Sequence, residues 1–182
     1  MTAAITSVDF SILSWIQANR NGFLDLFFKL ITHLGDAGAF WIALGVLLLC
    51  FPKTHRCGVC VLVCLAVTAL LGEGLLKHVF LRERPCVQQP IADLLLSIPT
   101  TYSFPSGHSA SSFTAATALL FYHRRAGIAA CILAALIAFS RLYCYVHFPT
   151  DVLAGIALGV CVAVVLTPRL SRWLAARSKT TD

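Results

Sequence analysis

Apolar residues run almost unbroken through five stretches of this chain, about 37–51, 57–76, 106–122, 126–146 and 150–167, with most of the charged residues in the gaps between them. Runs this continuous, without the alternation of a half-buried strand, predict membrane helices. Several fall short of the roughly 20 residues that a bilayer crossing needs, so their polar ends are expected to add helical turns at the interface. Residues 10–34 follow a different rule. Phe10, Leu13, Trp15 and Ile16, then Phe23, Leu26, Phe27, Leu30, Ile31 and Leu34, recur at roughly helical spacing among Gln17, Asn19, Arg20, Asn21, Asp25 and Lys29. That pattern predicts an amphipathic segment lying in the interface rather than a span. The N-terminus lacks the basic start, apolar core and cleavage site of a secretory leader, so it is expected to be retained.

Composition extends this picture to the whole chain. Of 182 residues, 58% are hydrophobic and 12% charged, and the mean hydropathy is +0.82, too apolar for a soluble domain with a hydrated surface. No internal repeat or Gly/Ser linker divides it. The expectation is an all-α, polytopic membrane helical bundle of five to six spans. It would have an interfacial segment at 1–36, a core at 37–167 and a basic tail at 168–182. Lys53 and Arg56, Arg124 and Arg125, and Arg169, Arg172, Arg177 and Lys179 fall in alternate connections, which the positive-inside rule makes cytoplasmic. The connections 77–105 and 147–149 then share the extracytoplasmic face. The net charge of +6 reflects this topology and anionic lipid, with no nucleic-acid partner implied.

The eight cysteines add little. Cys57, Cys60 and Cys64 include a C-x-x-C with no second pair at zinc spacing, and read as small apolar packing. Cys86 and Cys144 share the outer face, where a disulfide is permitted, but sequence alone does not bring them within bridging distance. Trp15, Trp41 and Trp173 read as interface anchors.

The outer face collects Lys77, Arg84, His108, Arg141, His147 and Asp151. Ionisable groups at membrane depth cost about 2.5–3.5 kcal/mol each on insertion scales, so their convergence marks a functional site. In "FPSGHS", Pro105 suits the first position of a helix, which leaves the N–H groups of Ser106, Gly107 and His108 available to an anion. The plain alternative is an ordinary helix cap. Lys77 and Arg84 combine a compact charge with a planar fork, which suits an oxyanion; the alternative is snorkelling towards headgroups. Glu73 can pair with Lys77, whereas Arg82 and Glu83 read as solvated neighbours. Phe148 precedes Pro149, so the helix should stop near His147 and a new one begin at Pro149. Asp151, in the first turn, can then orient one imidazole nitrogen and leave the other free to attack. A structural His–Asp corner is the alternative.

Together the segments read K-x-x-x-x-x-x-R-P from Lys77 to Pro85, P-S-G-H from Pro105 to His108, and S-R-x-x-x-x-x-H-x-x-x-D from Ser140 to Asp151. This resembles the type 2 phosphatidic acid phosphatase family of membrane lipid phosphatases, whose active site is related to that of vanadium haloperoxidases. The likeness covers roughly residues 37 to 167. It implies a metal-independent, cofactor-free hydrolase in which His147 attacks phosphorus to give a phosphohistidine and Asp151 orients it. His108 would serve as general acid and then base. Lys77, Arg84, Ser106, Gly107 and Arg141 would bind the phosphate oxygens, with Ser140 in support. The expected partners are the bilayer and a lipid phosphate, of the undecaprenyl diphosphate or phosphatidylglycerophosphate type, acted on from the extracytoplasmic side of a bacterial cytoplasmic membrane. The apolar stretch at 91–98 is a candidate lid. A lipid phosphotransferase using the same intermediate is the alternative enzyme, and an anion carrier the non-enzymatic one. A soluble haloperoxidase is incompatible with the apolar runs.

Overall fold

The computed structural model describes residues 3–178, and these form helices and connecting loops with no strand among them. Two helices come first, α1 (Ala3–Ala18) and α2 (Gly22–His33), the second capped by the Asn21 side chain, which accepts from the Leu24 N–H. A 3-10 turn at Asp36–Gly38 leads into α3 (Ala39–Leu49). Next, α4 (His55–Ala69) runs through a π-helical turn, Leu70–Leu76, into α5 (Lys77–Phe80). A short α6 (Pro85–Gln88) and a long loop precede α7 (Gly107–Leu120), α8 (Arg124–Tyr143) and α9 (Pro149–Ser178).

The centre of the bundle is α7, which packs along α4, α8 and α9. Its alanines meet Trp41, Val61, Leu65 and Ile137 in the main apolar core. Small residues set the spacing. A Cβ added at Gly155 would lie 2.5 Å from the carbonyl oxygen of Ser106, and one at Gly159 would lie 2.3 Å from that of Ala110. Helices α7 and α9 therefore meet backbone to backbone, as small-residue stripes allow in membranes. Buried polar groups pair across the helices, Thr68 with Thr114 at 2.8 Å and the Trp41 Nε1–H donating to Ser112 at 2.9 Å. Trp41 is thus a core residue, not the interface anchor expected of it, whereas Trp15 and Trp173 are exposed.

Three helical stretches are long and apolar enough to cross a membrane, His55–Gln88, Arg124–Tyr143 and Pro149–Arg177, and a fourth arises if Gly22–His33 and Asp36–Leu49, bent by 41°, form one span. The five to six spans expected are not reached by this measure. With 14 residues, α7 extends only about 21 Å and is enclosed by its neighbours. With 11 residues, α3 completes a crossing only when joined to α2. The expected boundary at residue 36 therefore falls inside a bent helix pair. At the other end, α9 continues past residue 167 to Ser178, carrying Arg169, Arg172 and Arg177 on a helix; Lys179 lies outside the described residues.

Helix α1 buries Leu13 and Ile16 against the 144–148 corner and α8, and leaves Val8 and Trp15 exposed. The stretch at 91–98 packs down on the same cluster through Ile91, Leu94, Leu95 and Leu96. It is docked there, and does not stand over the cavity as a lid. Cys86 and Cys144 share this cluster as free thiols.

Candidate active site

Three loops and two helix starts meet at one end of the bundle, around a cavity of about 550 Å³, within the usual range for small-molecule sites. Lys77, Arg84, Gly107, His108, Arg141 and His147 line its polar end, and Ile42, Leu62, Leu65, Ala66 and Ala69 its apolar wall. Three non-glycine residues in left-handed backbone conformations flank the site: Ala37 beside Asp36, Leu81 beside Arg82, and Tyr145 just before His147. Such conformations cost about 1–3 kcal/mol each and persist where surrounding contacts over-determine them.

His147 sits in the corner between α8 and α9. Pro149 starts α9, as its missing N–H and preset φ favour. Asp151 in the first turn reaches back to accept the Phe148 N–H at 2.9 Å, half of a capping box. The same oxygen accepts the Ser103 hydroxyl at 2.5 Å and lies 3.6 Å from His147 Nδ1, while Ser103 Oγ is 3.4 Å from that nitrogen. Asp151 therefore orients the ring largely through Ser103. Nε2 lies 3.0 Å from the Arg84 guanidinium Nη1. Burial, foremost, pushes the His147 imidazole down to about 3, against the pull of the Asp151 carboxylate and with the help of Arg84 and Arg141. It is therefore neutral at ordinary pH, the form with a lone pair to give.

Arg84 is locked by carbonyls of Thr101, Tyr102 and Val146 and by the Thr101 hydroxyl, at 2.8–3.2 Å. Lys77 pairs with Glu73 at 2.7 Å and bonds Thr101 at 3.1 Å. Arg141, buried, donates to Thr32 at 2.5 Å, and its Nε has no hydrogen-bond partner among the described residues. A buried guanidinium N–H without a partner costs about 1–3 kcal/mol, which an arriving anion would recover. His108 Nε2 lies 3.0 Å from Asp36.

Two expectations need adjustment. Pro105 does not begin the helix; Ser106 is the N-cap and Gly107 the first helical residue, because the serine side chain can satisfy the Ser109 N–H and a proline cannot. Ser106 is fully buried, its oxygen taken by the Ser109 N–H and hydroxyl, and its own N–H donates to the Asp151 carbonyl at 3.0 Å. Ser140 donates within its own helix to Ile137 at 2.6 Å and does not reach the cavity lining.

Arg82 is the larger correction. It is not a solvated neighbour: its side chain is 9% exposed. It donates to Asp151 Oδ1 at 2.5 Å, to Asp9 at 2.7 Å and to Thr150 at 2.7 Å, with its guanidinium 3.8 Å above the Phe148 ring. Asp9 in turn accepts from the Thr150 N–H and hydroxyl. Glu83 alone is exposed. Sequence reasoning also passed over Asp9, Thr32, Asp36, Thr101 and Ser103, all five outside the three motifs and none at a diagnostic spacing.

Residues 58–174 match the PAP2 superfamily. The chain is 38% identical over 120 residues to an undecaprenyl-diphosphatase of Sulfolobus acidocaldarius, covering 65% of this chain and 58% of that protein's length. It is 30% identical over 173 residues to phosphatidylglycerophosphatase B of Bacillus subtilis, covering 87% and 81%. Among solved structures, the crystal structure of a transmembrane PAP2-type phosphatidylglycerolphosphate phosphatase from Bacillus subtilis superposes with a TM-score of 0.75 and 28% identity, over 92% of this chain and 86% of that one. With the fold, the three motifs and this match in agreement, the chain belongs to the PAP2 superfamily of integral-membrane proteins.

Proposed function

We propose that this protein is a membrane lipid phosphatase that cleaves a phosphomonoester or diphosphate through a phosphohistidine at His147. The observation that carries the reading is the two-ended cavity: three cations and two histidines at one end, an apolar wall between α3 and α4 leading away from them. A phosphate fits the first and its lipid chain the second.

In this mechanism the neutral Nε2 of His147 attacks phosphorus, and the bond to the leaving oxygen breaks in line. Asp151 and Ser103 hold Nδ1–H and stabilise the imidazolium character that develops. Lys77, Arg84, Arg141 and the N–H groups at Gly107 and His108 receive the equatorial oxygens, where charge must be stabilised. His108, its ring held by Asp36, protonates the leaving oxygen and then deprotonates the water that cleaves the P–N bond. The nucleophile is a side chain, so no metal is required. Relatives named for undecaprenyl diphosphate and phosphatidylglycerophosphate support those two substrate types, and the basic residues of the opposite connections support a site on the extracytoplasmic face of the cytoplasmic membrane.

The test is phosphate release by detergent-purified protein in excess EDTA, across prenyl diphosphates and glycerolipid phosphates. Turnover should resist EDTA and vanish in His147→Ala. Turnover that survives the substitution would refute the phosphohistidine.

A further inference from the structure

Glu73 lies in the π-helical turn Leu70–Leu76, between two glycines. A π-turn spreads one extra residue through the helix and redirects side chains, and such turns concentrate at functional sites. Here the carboxylate lines the cavity, and its two oxygens meet two different motifs. Oε2 is 2.7 Å from Lys77 Nζ. Oε1 stands against Gly107, where an added Cβ would lie only 2.3 Å from it. The carboxylate thus pairs with the lysine of one motif and fills the space that the missing side chain leaves at the glycine of the other. The Glu73 side chain is 46% exposed, against 7% for Lys77, so the acid has room to leave and the lysine does not.

We propose that Glu73 is an internal anion that fills the Lys77–Gly107 edge of the phosphate seat when the site is empty and is displaced when a phosphate enters. The inference rests on the phosphatase reading above and goes beyond it, to the competition that every phosphate ligand meets. A ligand whose binding-competent state is only partly populated has its affinity reduced by that fraction. The reduction falls equally on a lipid phosphate and on inorganic phosphate, but only the lipid has a buried tail to compensate. Glu73 therefore biases the site against retaining its inorganic product.

The plain alternative is an i,i+4 ion pair that steadies Lys77. The two differ in sign. If Glu73 only positions Lys77, removing it weakens phosphate binding or leaves it unchanged; if Glu73 occupies the seat, removing it tightens binding.

The experiment uses the full chain in detergent, with inorganic phosphate binding followed by calorimetry and lipid-phosphate turnover assayed in parallel, for wild type, Glu73→Gln and Glu73→Asp. Glutamine keeps the shape without the charge. Aspartate keeps the charge but is too short to reach Gly107. Phosphate should bind about 5- to 10-fold tighter to the glutamine variant, an ordinary coupling for a two-state displacement, and tighter than wild type to the aspartate variant by a smaller factor. An aspartate variant equal to wild type would reduce the effect to net charge, and a glutamine variant no tighter than wild type would leave Glu73 as a strut; either overturns the proposal, as does binding to none of the three. Failure of wild type to hydrolyse any lipid phosphate, with the predicted order of phosphate affinities intact, would instead overturn the phosphatase reading alone.

Discussion

Arg82 joins three parts of the chain through one guanidinium: Asp9 on the first helix, Asp151 beside the histidine, and the Phe148 ring beneath. It touches neither the cavity nor His147, so its effect must pass through Asp151. Arg82→Gln should lower kcat about 10- to 100-fold with KM little changed, by analogy with the outer partners that orient metal-bound histidines, and Arg82→Lys should recover part of the loss. Ser103→Ala, which removes the hydroxyl between Asp151 and Nδ1, should reduce kcat about 10-fold by the same principle. Steady-state kinetics on the best lipid phosphate checks both. Arg82 was in fact legible. The residue before a proline is extended, and Arg84 before Pro85 has φ −76° and ψ 154°. In an extended segment alternate residues share a face, so an inward Arg84 predicts an inward Arg82 and an outward Glu83. Asp9 had no such signal, since an acid on a short amphipathic helix ordinarily faces water.

Between helices α7 and α9, two glycines carry the geometry that joins the motifs. Gly155 lets the carbonyl of Ser106 approach the first turns of α9, and from there the Ser106 N–H reaches the Asp151 carbonyl. Gly159→Leu would drive a side chain into the Ala110 carbonyl, 2.3 Å from its Cβ. It should destabilise the protein by about 1–3 kcal/mol, the range for overpacking, and lower activity with it. Gly22→Ala meets nothing within 4 Å and replaces a poor helix former by the best, so it should be neutral or stabilising by up to about 1 kcal/mol. Thermal unfolding in detergent separates the two. At this scale the apolar runs showed where helices are, because periodicity and hydropathy are local properties. They did not show how long each helix is: α7, at 14 residues, is short and enclosed by protein, although it runs from the motif loops to the turn before Arg124. Nor did they foretell that α2 continues into α3, since the bend at Ala37 and Gly38 depends on left-handed backbone that only packing stabilises.

Across the whole molecule, the alternation of helices sets the motif loops at one end and the turns near Lys53 and Arg124 at the other. In intact bacterial cells expressing a chain whose other cysteines are replaced by alanine, Glu83→Cys should react with a membrane-impermeant maleimide. Cys50, exposed at the opposite end, should react only after permeabilisation, and the reverse pattern would put the site in the cytoplasm. Membrane residence, helical class and the sequence positions of the two histidines, the aspartate and three cations were determined by the sequence itself. Hydropathy is additive along a chain, and a proline or a glycine constrains its own neighbours wherever the fold places them. The tertiary structure decided the rest: that Thr32 and Asp36 reach Arg141 and His108, that Ser103 stands between Asp151 and His147, that Arg82 ties the corner to Asp9, and that Glu73 rests against Gly107. Each of these contacts joins residues far apart in the chain, or a rotamer and a helical defect, and none exists until the helices have packed.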